Sequence, residues 1–306
     1  MLPARSVVQR SALLFTLALL GGCAAAPPKA PAPVTPPPPE PTPVEVVVPP
    51  PRIALVLGGG AAKGFAHVGV IKALESQGVK VDLLAGTSAG SMVAALYAAG
   101  YDGFQLQRLS LDMKESMVSD WSLPNRGFLR GEALQEFVNK AVQNRPIEKL
   151  DRKLGIVATD LDSGQGIVFR VGDTGVAVRA SSAVPAVFQP VRIGTREYVD
   201  GGLVAPVPVR YARQMGAQLV IAVDISEAPD GAATGDAMRM LLQTFSIMGR
   251  SINQFELAQA DIVIRPKLAG VSGTDFSTRT RSIQAGRDAA TALLGELRLR
   301  ILDDTR

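Results

Sequence analysis

Residues 52–100 read RIALVLGGGAAKGFAHVGVIKALESQGVKVDLLAGTSAGSMVAALYAAG, and this stretch decides the fold class. It begins with an apolar run at 52–57, which predicts a buried strand and is followed directly by glycines. The pattern then predicts a helix over 65–77, a second strand over 81–85 and a second helix over 91–99. Strand, glycine loop, helix, strand, glycine turn and helix make a βαβα unit, which predicts a parallel sheet.

The rest of the chain continues this alternation of apolar strands and helices. Residues 102–143 look mainly helical, with a loop around 124–127, and are the expected cover over the site. We therefore predict an α/β fold, a three-layer α/β/α sandwich with a mostly parallel central sheet. Further strands are expected at 154–159, 166–170, 197–199, 219–223 and 261–265, and long helices at 236–258 and 282–302.

The overall composition is that of a packed α/β protein and not of a disordered chain. Of the 306 residues, 47% are hydrophobic and 5% are aromatic, so aliphatic side chains must fill the core. The formal net charge is +4, but the lysines and arginines are scattered without a dense basic run. We therefore expect no nucleic acid partner, whereas a weakly basic surface is compatible with anionic lipid headgroups.

The N-terminal segment does not have the pattern of a folded domain. Arg5 and Arg10 precede an apolar run at 11–20, which is too short to span a bilayer. A positively charged start followed by such a run predicts a secretory signal peptide over residues 1–22. The chain has one cysteine, Cys23, directly after this segment, so no disulfide forms within the chain.

Leu20-Gly21-Gly22-Cys23 resembles the lipobox of bacterial lipoproteins. The resemblance implies that the Cys23 thiol receives a diacylglycerol and anchors the chain to a membrane. Ala24 after the cysteine, in place of aspartate, favours the outer membrane of the bacterial cell envelope by the same resemblance. Residues 23–51 are proline-rich and predict an extended tether, with residues 52–306 as the globular domain. The alternatives are an ordinary signal peptide with a chance cysteine and a proline-rich ligand for a partner.

Gly86-Thr87-Ser88-Ala89-Gly90 is a G-x-S-x-G sequence between a predicted strand and a predicted helix. A nucleophile elbow needs such a corner, because glycines two residues before and after the serine allow a sharp turn that exposes the hydroxyl. The N–H groups at the start of the following helix favour developing negative charge. We therefore predict Ser88 as the nucleophile, with Gly86 and Gly90 as motif glycines. A tight turn with a hydrogen-bonded serine is the structural alternative.

A serine hydroxyl becomes reactive when a base takes its proton. The only histidine, His67, precedes Ser88 in the chain and follows the glycine loop, where a packing or capping role is more usual. The inventory of residues therefore favours a carboxylate as the base. The aspartates at the ends of predicted strands are Asp160, Asp200 and Asp224.

Asp200 is the preferred candidate among these three aspartates. The motif glycines Gly201 and Gly202 follow it, and they let the backbone turn tightly while the carboxylate stays accessible. A strand-end aspartate also commonly caps a turn or a helix, so each of the three has a structural alternative.

A second glycine-rich segment, GGGAAKG at 58–64, lies between the first strand and the first helix. Consecutive glycines let backbone N–H groups converge on an anion, either a nucleotide phosphate or the oxyanion of acyl transfer. The pattern G-x-x-x-x-G-K-[ST] is absent because Lys63 precedes Gly64, and Lys63 also fills the last position of G-x-G-x-x-G counted from Gly58. The segment therefore favours an oxyanion hole. The candidate donors are the N–H groups of Gly59, Gly60, Ala61 and Ala89.

Together these segments resemble the patatin-like phospholipase family over nearly all of residues 53–223. The glycine loop comes first, the elbow second and the Asp-Gly-Gly motif last. Between the last two, ASSAVPAVF at 180–188 is similar to the family's Ala-Ser-x-x-x-Pro-x-x-Phe segment. Ala61 departs from the family pattern, in which a glycine is usual, but an alanine still provides the N–H.

The resemblance implies a three-layer fold and a catalytic dyad of Ser88 and Asp200 without histidine. It implies hydrolysis of carboxylic esters of phospholipids, lysophospholipids or related acyl lipids through an acyl-enzyme, with no metal and no organic cofactor. Lys63 and Arg130 are candidates to bind a phosphate or headgroup, with salt-bridge or surface roles as the alternative.

Two other functions are open on the sequence. A nucleotide-binding protein would use the loop at 58–64 for phosphate, and a non-catalytic lipoprotein would bind lipid or organise the envelope. Binding of ATP or NAD would support the first. Failure of a fluorophosphonate probe to react at Ser88 would support the second, because a binding module has no activated serine.

Overall fold

The computed structural model describes residues 50–120, 126–226, 235–271 and 275–303. The expected signal peptide, Cys23 and nearly all of the tether lie outside these residues, so they stay predictions. The described residues belong to one compact unit, Val47–Arg306.

An eight-stranded sheet forms the centre of this unit. Its strand order is β10-β9-β1-β2-β4-β8-β7, with β5 paired to β4 beside that path, and β3 and β6 form a separate two-stranded sheet. The strands are β1 (Ile53–Leu57), β2 (Leu83–Thr87), β3 (Gly127–Leu129), β4 (Lys153–Asp160), β5 (Gly166–Phe169), β6 (Ala186–Phe188), β7 (Val191–Ile193), β8 (Arg196–Asp200), β9 (Leu219–Val223) and β10 (Ile262–Ile264).

The sheet is mixed, and its parallel part positions the two glycine-rich segments. The pairs from β10 through β9, β1 and β2 to β4 are parallel, whereas β5, β8 and β7 are antiparallel to their neighbours. Leu57 at the end of β1 pairs with Gly86 near the end of β2. The glycine loop and the elbow therefore leave the sheet at the same edge.

Helices cover both faces of the sheet. Alternate residues of β1 point to opposite faces, so that Leu55 and Leu57 lie in one hydrophobic core while Ala54 and Val56 lie in the other. The first core also contains side chains of α1, α2 and α8, and the second contains side chains of α6. The helices are α1 (Phe65–Ser76), α2 (Ala89–Ala98), α3 (Gly103–Asp112), α4 (Glu132–Ala141), α5 (Thr174–Ser181), α6 (Val209–Gln214), α7 (Ala237–Leu257) and α8 (Arg279–Asp303).

The predicted three-layer fold with a mostly parallel sheet is confirmed, and the differences concern short elements. The sequence predicts mainly helix over 102–143, but this region also contributes the strand β3, which pairs with β6. Helices α5 and α6 and strands β6 and β7 were not predicted, since elements of three to eight residues carry too little periodicity to be recognised. Among the described residues, no helix is both long and apolar enough to cross a bilayer.

Candidate active site

Ser88 occupies a sharp corner between β2 and α2. Its backbone angles are φ 54° and ψ −127°, a conformation that non-glycine residues rarely adopt. The motif glycines are required by close packing, since a Cβ on Gly90 would lie 2.1 Å from the Leu57 carbonyl oxygen. A Cβ on Gly86 would lie 2.7 Å from the Gly90 oxygen. The turn therefore has the geometry that the G-x-S-x-G pattern predicts.

The backbone of Ser88 is held on both sides by serine side chains. Its carbonyl oxygen accepts hydrogen bonds from the N–H and the hydroxyl of Ser91, at 2.8 and 2.6 Å. Its N–H donates to the hydroxyl oxygen of Ser181 at 2.9 Å, and Ser181 in turn donates to the Val157 carbonyl oxygen at 2.5 Å. These contacts stabilise a strained backbone conformation next to the predicted nucleophile.

Asp200 ends β8, and the antiparallel pairing with β4 directs it to the elbow. It pairs with Ala158, its carbonyl oxygen accepts from the Thr159 hydroxyl at 2.8 Å, and its N–H donates to Ala183 at 2.9 Å. Its side chain accepts the N–H of Gly202 at 2.6 Å, which shows how the Asp-Gly-Gly turn orients the carboxylate.

The structure brings the Ser88 hydroxyl and the Asp200 carboxylate together as hydrogen-bond partners. Asp200 is 6% exposed, and this burial raises the pKa of its carboxyl from 3.8 to about 6. The N–H of Gly202 and the Ser88 hydroxyl both act in the opposite direction on this pKa. At neutral pH the group is therefore ionised and more basic than an exposed aspartate, as a proton acceptor for a serine needs.

The glycine loop lies against the elbow, but Gly59 is not one of its available donors. The N–H of Gly58 donates to Val223 at 3.1 Å and that of Gly59 donates to Pro206 at 2.9 Å. The expectation that Gly59 contributes to the oxyanion hole is thus corrected, because its hydrogen is already used within the fold. A Cβ on Gly59 would lie 3.1 Å from the Ser88 Cβ, so this residue provides space for the turn instead.

Three of the predicted donors keep their N–H groups available. Within the part of the chain that the structure describes, the amides of Gly60, Ala61 and Ala89 have no hydrogen-bond acceptor. Ala61 has φ 50°, the left-handed conformation that favours glycine. Next to it, a Cβ on Gly64 would lie 2.9 Å from the Ala89 Cβ, so the loop and the elbow pack closely. The loss of two loop amides to internal bonds also argues against a phosphate cradle.

His67 is fully buried in α1 and has a structural contact. Its Nε2 lies 2.8 Å from the Gly58 carbonyl oxygen, to which it donates, and burial lowers the pKa of the ring to about 4. Its Nδ1 has no hydrogen-bond partner among the described residues. His67 therefore holds the start of the glycine loop as a neutral imidazole and lies outside the Ser88–Asp200 contact.

The other strand-end aspartates have the structural roles that the sequence left open. Asp160 is buried, pairs with Arg196 and accepts the N–H groups of a turn, and these contacts hold the pKa of its carboxyl below the usual value, with the Arg196 hydrogen bond contributing most. Asp224 accepts the N–H and the hydroxyl of Ser226 and pairs with Arg265 at 3.4 Å. Neither is paired with a serine at the elbow.

The two predicted headgroup ligands occupy different environments. Arg130 is exposed and lies 3.9 Å from Asp120 and 3.3 Å from Glu132, so it has acidic neighbours on its own surface. Lys63 is buried beside the glycine loop. Among the described residues, no three His, Cys, Asp or Glu side chains are grouped as a metal ion requires.

Ser181 is the main site residue that the sequence reasoning did not assign. It lies in the segment 180–188, which carried the family resemblance, but its contact with Ser88 joins residues 93 positions apart. Pro206, which accepts the Gly59 N–H, was missed for the same reason. The position of Ser181 in a recognisable motif was the one available signal.

Comparisons with known proteins agree with this site. A family model described as patatin-like phospholipase matches residues 55–213, just over half of the chain. An uncharacterised NTE family protein of Mycobacterium tuberculosis is 35% identical over 202 residues, which are 65% of this chain and 56% of that protein. Patatin-like phospholipase domain-containing protein 6 of Mus musculus is 35% identical over 196 residues, which are 61% of this chain and 14% of the mouse protein.

The chain therefore spans less than two thirds of the length of both curated relatives. A solved structure, VipD from Legionella pneumophila, is similar with a TM-score of 0.56. The match covers 82% of this chain and 68% of VipD at 17% sequence identity, so it concerns the fold alone.

Proposed function

The chain belongs to the patatin-like phospholipase family, and we propose that it is a serine hydrolase of lipid acyl esters. The substrates are carboxylic esters of phospholipids, lysophospholipids or related acyl lipids. The observation that carries this proposal is the hydrogen bond between the Ser88 hydroxyl and the buried Asp200 carboxylate at a strained elbow. Buried, unusually basic carboxylates beside a hydroxyl are typical of catalytic sites.

In the first half of the reaction, the Ser88 Oγ attacks the ester carbonyl carbon while Asp200 accepts its proton. Negative charge then develops on the carbonyl oxygen, and the N–H groups of Gly60, Ala61 and Ala89 are the donors proposed to stabilise it. Each such donor typically lowers the barrier by about 2.7–4 kcal/mol. The alcohol part of the lipid leaves with a proton, and the acyl group stays on Ser88.

In the second half, water hydrolyses this acyl-enzyme. Asp200 accepts a proton from the attacking water, the same amides hold the second oxyanion, and the fatty acid leaves as Ser88 regains its hydrogen. One carboxylate thus serves both halves. His67 takes no part, because it is neutral and donates to Gly58.

We also propose that the chain works at a membrane. The sequence supports cleavage of a signal peptide before Cys23, lipidation of that cysteine and, from Ala24, an outer-membrane location in the bacterial cell envelope. An anchored hydrolase meets lipid substrate in its own bilayer. Radiolabelled palmitate incorporation into the parent chain, and its absence from Cys23→Ala, is the measurement that tests this part.

The activity is tested with the full chain on a short-chain p-nitrophenyl ester and on mixed bacterial phospholipids. Ser88→Ala and Asp200→Asn should each abolish hydrolysis while the protein stays folded. A fluorophosphonate probe should label the parent and not Ser88→Ala. Ser182→Ala and Asp162→Asn are matched controls, since these residues are neighbours in the chain of site residues without a role in the reaction.

Two results would overturn the assignment. Full hydrolysis by Asp200→Asn would remove Asp200 as the base. A folded parent chain that neither hydrolyses an ester nor reacts with the probe would instead support the non-catalytic lipoprotein, which binds lipid without activating a serine. Mass analysis of the products then identifies which ester bond is cut.

A further inference from the structure

The helix α7 presents its polar residues to the protein and apolar residues to the outside. Its buried residues are Gly249, Asn253 and Glu256. Asn253 accepts the N–H of Val207 at 3.1 Å, and Glu256 accepts the N–H of Arg210 at 3.0 Å and pairs with its guanidinium. An amphipathic surface helix normally buries its apolar stripe and exposes its polar one. Here that arrangement is reversed.

The apolar residues of α7 form one continuous stripe, which we call the α7 stripe. Intervals of four and three residues place its members on one side of the helix. Phe255 is 74% exposed and Met248 is 49% exposed, and the other three are half-buried. The α7 stripe consists of Leu241, Phe245, Met248, Ile252 and Phe255. Met240, which is also exposed, extends the apolar surface at the start of the helix.

The α7 stripe borders the proposed active site. Helix α7 packs against the turn Gly201–Leu203, which follows Asp200 directly. A Cβ on Gly249 would lie 3.3 Å from the side chain of Pro206, whose carbonyl oxygen holds the Gly59 N–H. A surface that covers the α7 stripe therefore lies next to the entrance used by a substrate of Ser88.

The charges on α7 match an anionic partner. Arg239 and Arg250 are the charged residues that are exposed within the helix, all of which the structure describes, and its single acid, Glu256, is buried. A helix with an apolar stripe flanked by arginines fits the interface of a bilayer, where acyl chains lie beside phosphate headgroups. A symmetric contact between two copies would instead bring the same arginines to both sides.

We propose that α7 is a docking helix for an anionic lipid bilayer, with the α7 stripe in the acyl region and the arginines at the phosphates. Docking places the entrance to Ser88 at the membrane surface, and this consequence rests on the proposed function. The docking itself does not, because it is a binding event that an inactive variant also performs.

The test uses the fact that Cys23 is the single cysteine of the chain. In the full chain carrying Cys23→Ala and Ser88→Ala, Met248→Cys provides a unique site for an environment-sensitive fluorophore. Phe104→Cys in the same background is the matched control, because Phe104 is 66% exposed on α3, away from α7. Both labelled proteins are mixed with vesicles of phosphatidylethanolamine and phosphatidylglycerol, and with phosphatidylcholine vesicles.

The label at 248 should shift to shorter wavelength and brighten with the phosphatidylglycerol vesicles, and less with phosphatidylcholine, while the label at 104 stays as in water. The proposal is overturned if the label at 248 keeps its aqueous spectrum while the protein sediments with the vesicles. An equal response of both labels also overturns it, as does a response at 248 to protein concentration alone, which would identify a second copy as the occupant.

A second readout separates docking from catalysis. In otherwise parental protein, Met248→Ser with Phe255→Ser should lower hydrolysis of vesicle lipid on the order of tenfold, because two apolar anchors are lost. Hydrolysis of a soluble short-chain ester should not change. Vesicle binding without any ester hydrolysis leaves the docking and removes the proposed function, whereas hydrolysis of the soluble ester without vesicle binding does the reverse.

Discussion

The hydroxyl oxygen of Ser181 accepts the backbone N–H of Ser88 at 2.9 Å. Because Ser181 also donates to Val157, one buried side chain at the end of α5 connects β4 to the elbow. A residue in a sparsely populated backbone conformation typically carries about 1–3 kcal/mol of strain, and it persists only where neighbouring contacts hold it. Ser181 is therefore a positioning residue for the proposed nucleophile.

We predict that Ser181→Ala lowers kcat on the order of tenfold with little change in KM, since the elbow loosens while the substrate contacts stay. The Ser88 N–H and the Val157 carbonyl also lose their partner, which costs about 1–3 kcal/mol of stability. Ester kinetics and thermal unfolding are the measurements. Ser182→Ala is the control, and Ser181→Cys, with a weaker acceptor, should fall between the two. An unchanged kcat in Ser181→Ala would exclude this role.

The activity should depend on pH through Asp200. Its carboxyl has a pKa of about 6, and only the ionised form accepts the Ser88 proton. We expect kcat/KM for a soluble ester to fall as pH drops below about 6. The profile of Asp162→Asn should overlay that of the parent. A midpoint near the ordinary value of 3.8 would mean that Asp200 is not the desolvated base.

Asp200→Asn should make the folded protein more stable at alkaline pH. A carboxyl with a raised pKa contributes stability below its unfolded value of 3.8, and this is lost as pH rises through about 6. Above that pH, the buried charge costs up to about 3 kcal/mol, which the neutral amide avoids while still accepting the Gly202 N–H. Urea unfolding at several pH values measures the difference, which should disappear in acid. A difference independent of pH contradicts the explanation.

His67 should destabilise the fold in acid. Its pKa is lowered from 6.5 to about 4 by burial, so its contribution to stability is present above 6.5 and is lost as pH falls through about 4. We expect His67→Gln, which keeps a donor for Gly58 without titrating, to lose up to about 3 kcal/mol less than the parent over this interval.

The His67 measurement belongs in the Asp200→Asn background, because Asp200 titrates in an overlapping range with the opposite effect on stability. Urea unfolding of both proteins across this range gives the two slopes. Equal slopes with histidine and glutamine at position 67 would show that the imidazole does not carry the acid sensitivity.

Ala61→Gly should leave the protein active and as stable as the parent, or more stable by less than about 1 kcal/mol. A left-handed conformation costs an L-residue about 1–2 kcal/mol, and the greater chain entropy of glycine offsets part of the gain. Ala62→Gly is the control in the same short helix, where φ is ordinary, and it should lose about 1 kcal/mol. Equal losses in both variants would show that position 61 carries no strain.

Some elements were predictable because their signals lie within a few consecutive residues. Strand β9 has the predicted limits Leu219–Val223, and β1, α1, β2 and α2 follow the predicted order with ends that differ by a few residues. The hydrophobic runs and the glycines that end them are local properties. Helix α5 was missed because its boundaries depend on Asn139, which binds Gly175 from another helix.

The candidate site divides along the same line. The motifs identified Ser88 and Asp200 as a pair and Gly60, Ala61 and Ala89 as donors, and the structure places them together. It also removed Gly59 from the donors, because Pro206 accepts its N–H. No local pattern reports that bond, since Pro206 is brought to the loop by the packing of a distant segment.

The sequence by itself determined the family, the order of strands and helices around the elbow, and a carboxylate in place of histidine as the predicted base. Only the tertiary structure decided that Asp200 is desolvated, that Ser181 holds Ser88, and that the apolar side of α7 faces outward. Hydrophobic periodicity and turn residues act along the chain, and so they can be recognised from neighbouring residues. Burial and hydrogen-bond pairing depend on which distant segments meet, and packing alone establishes those contacts.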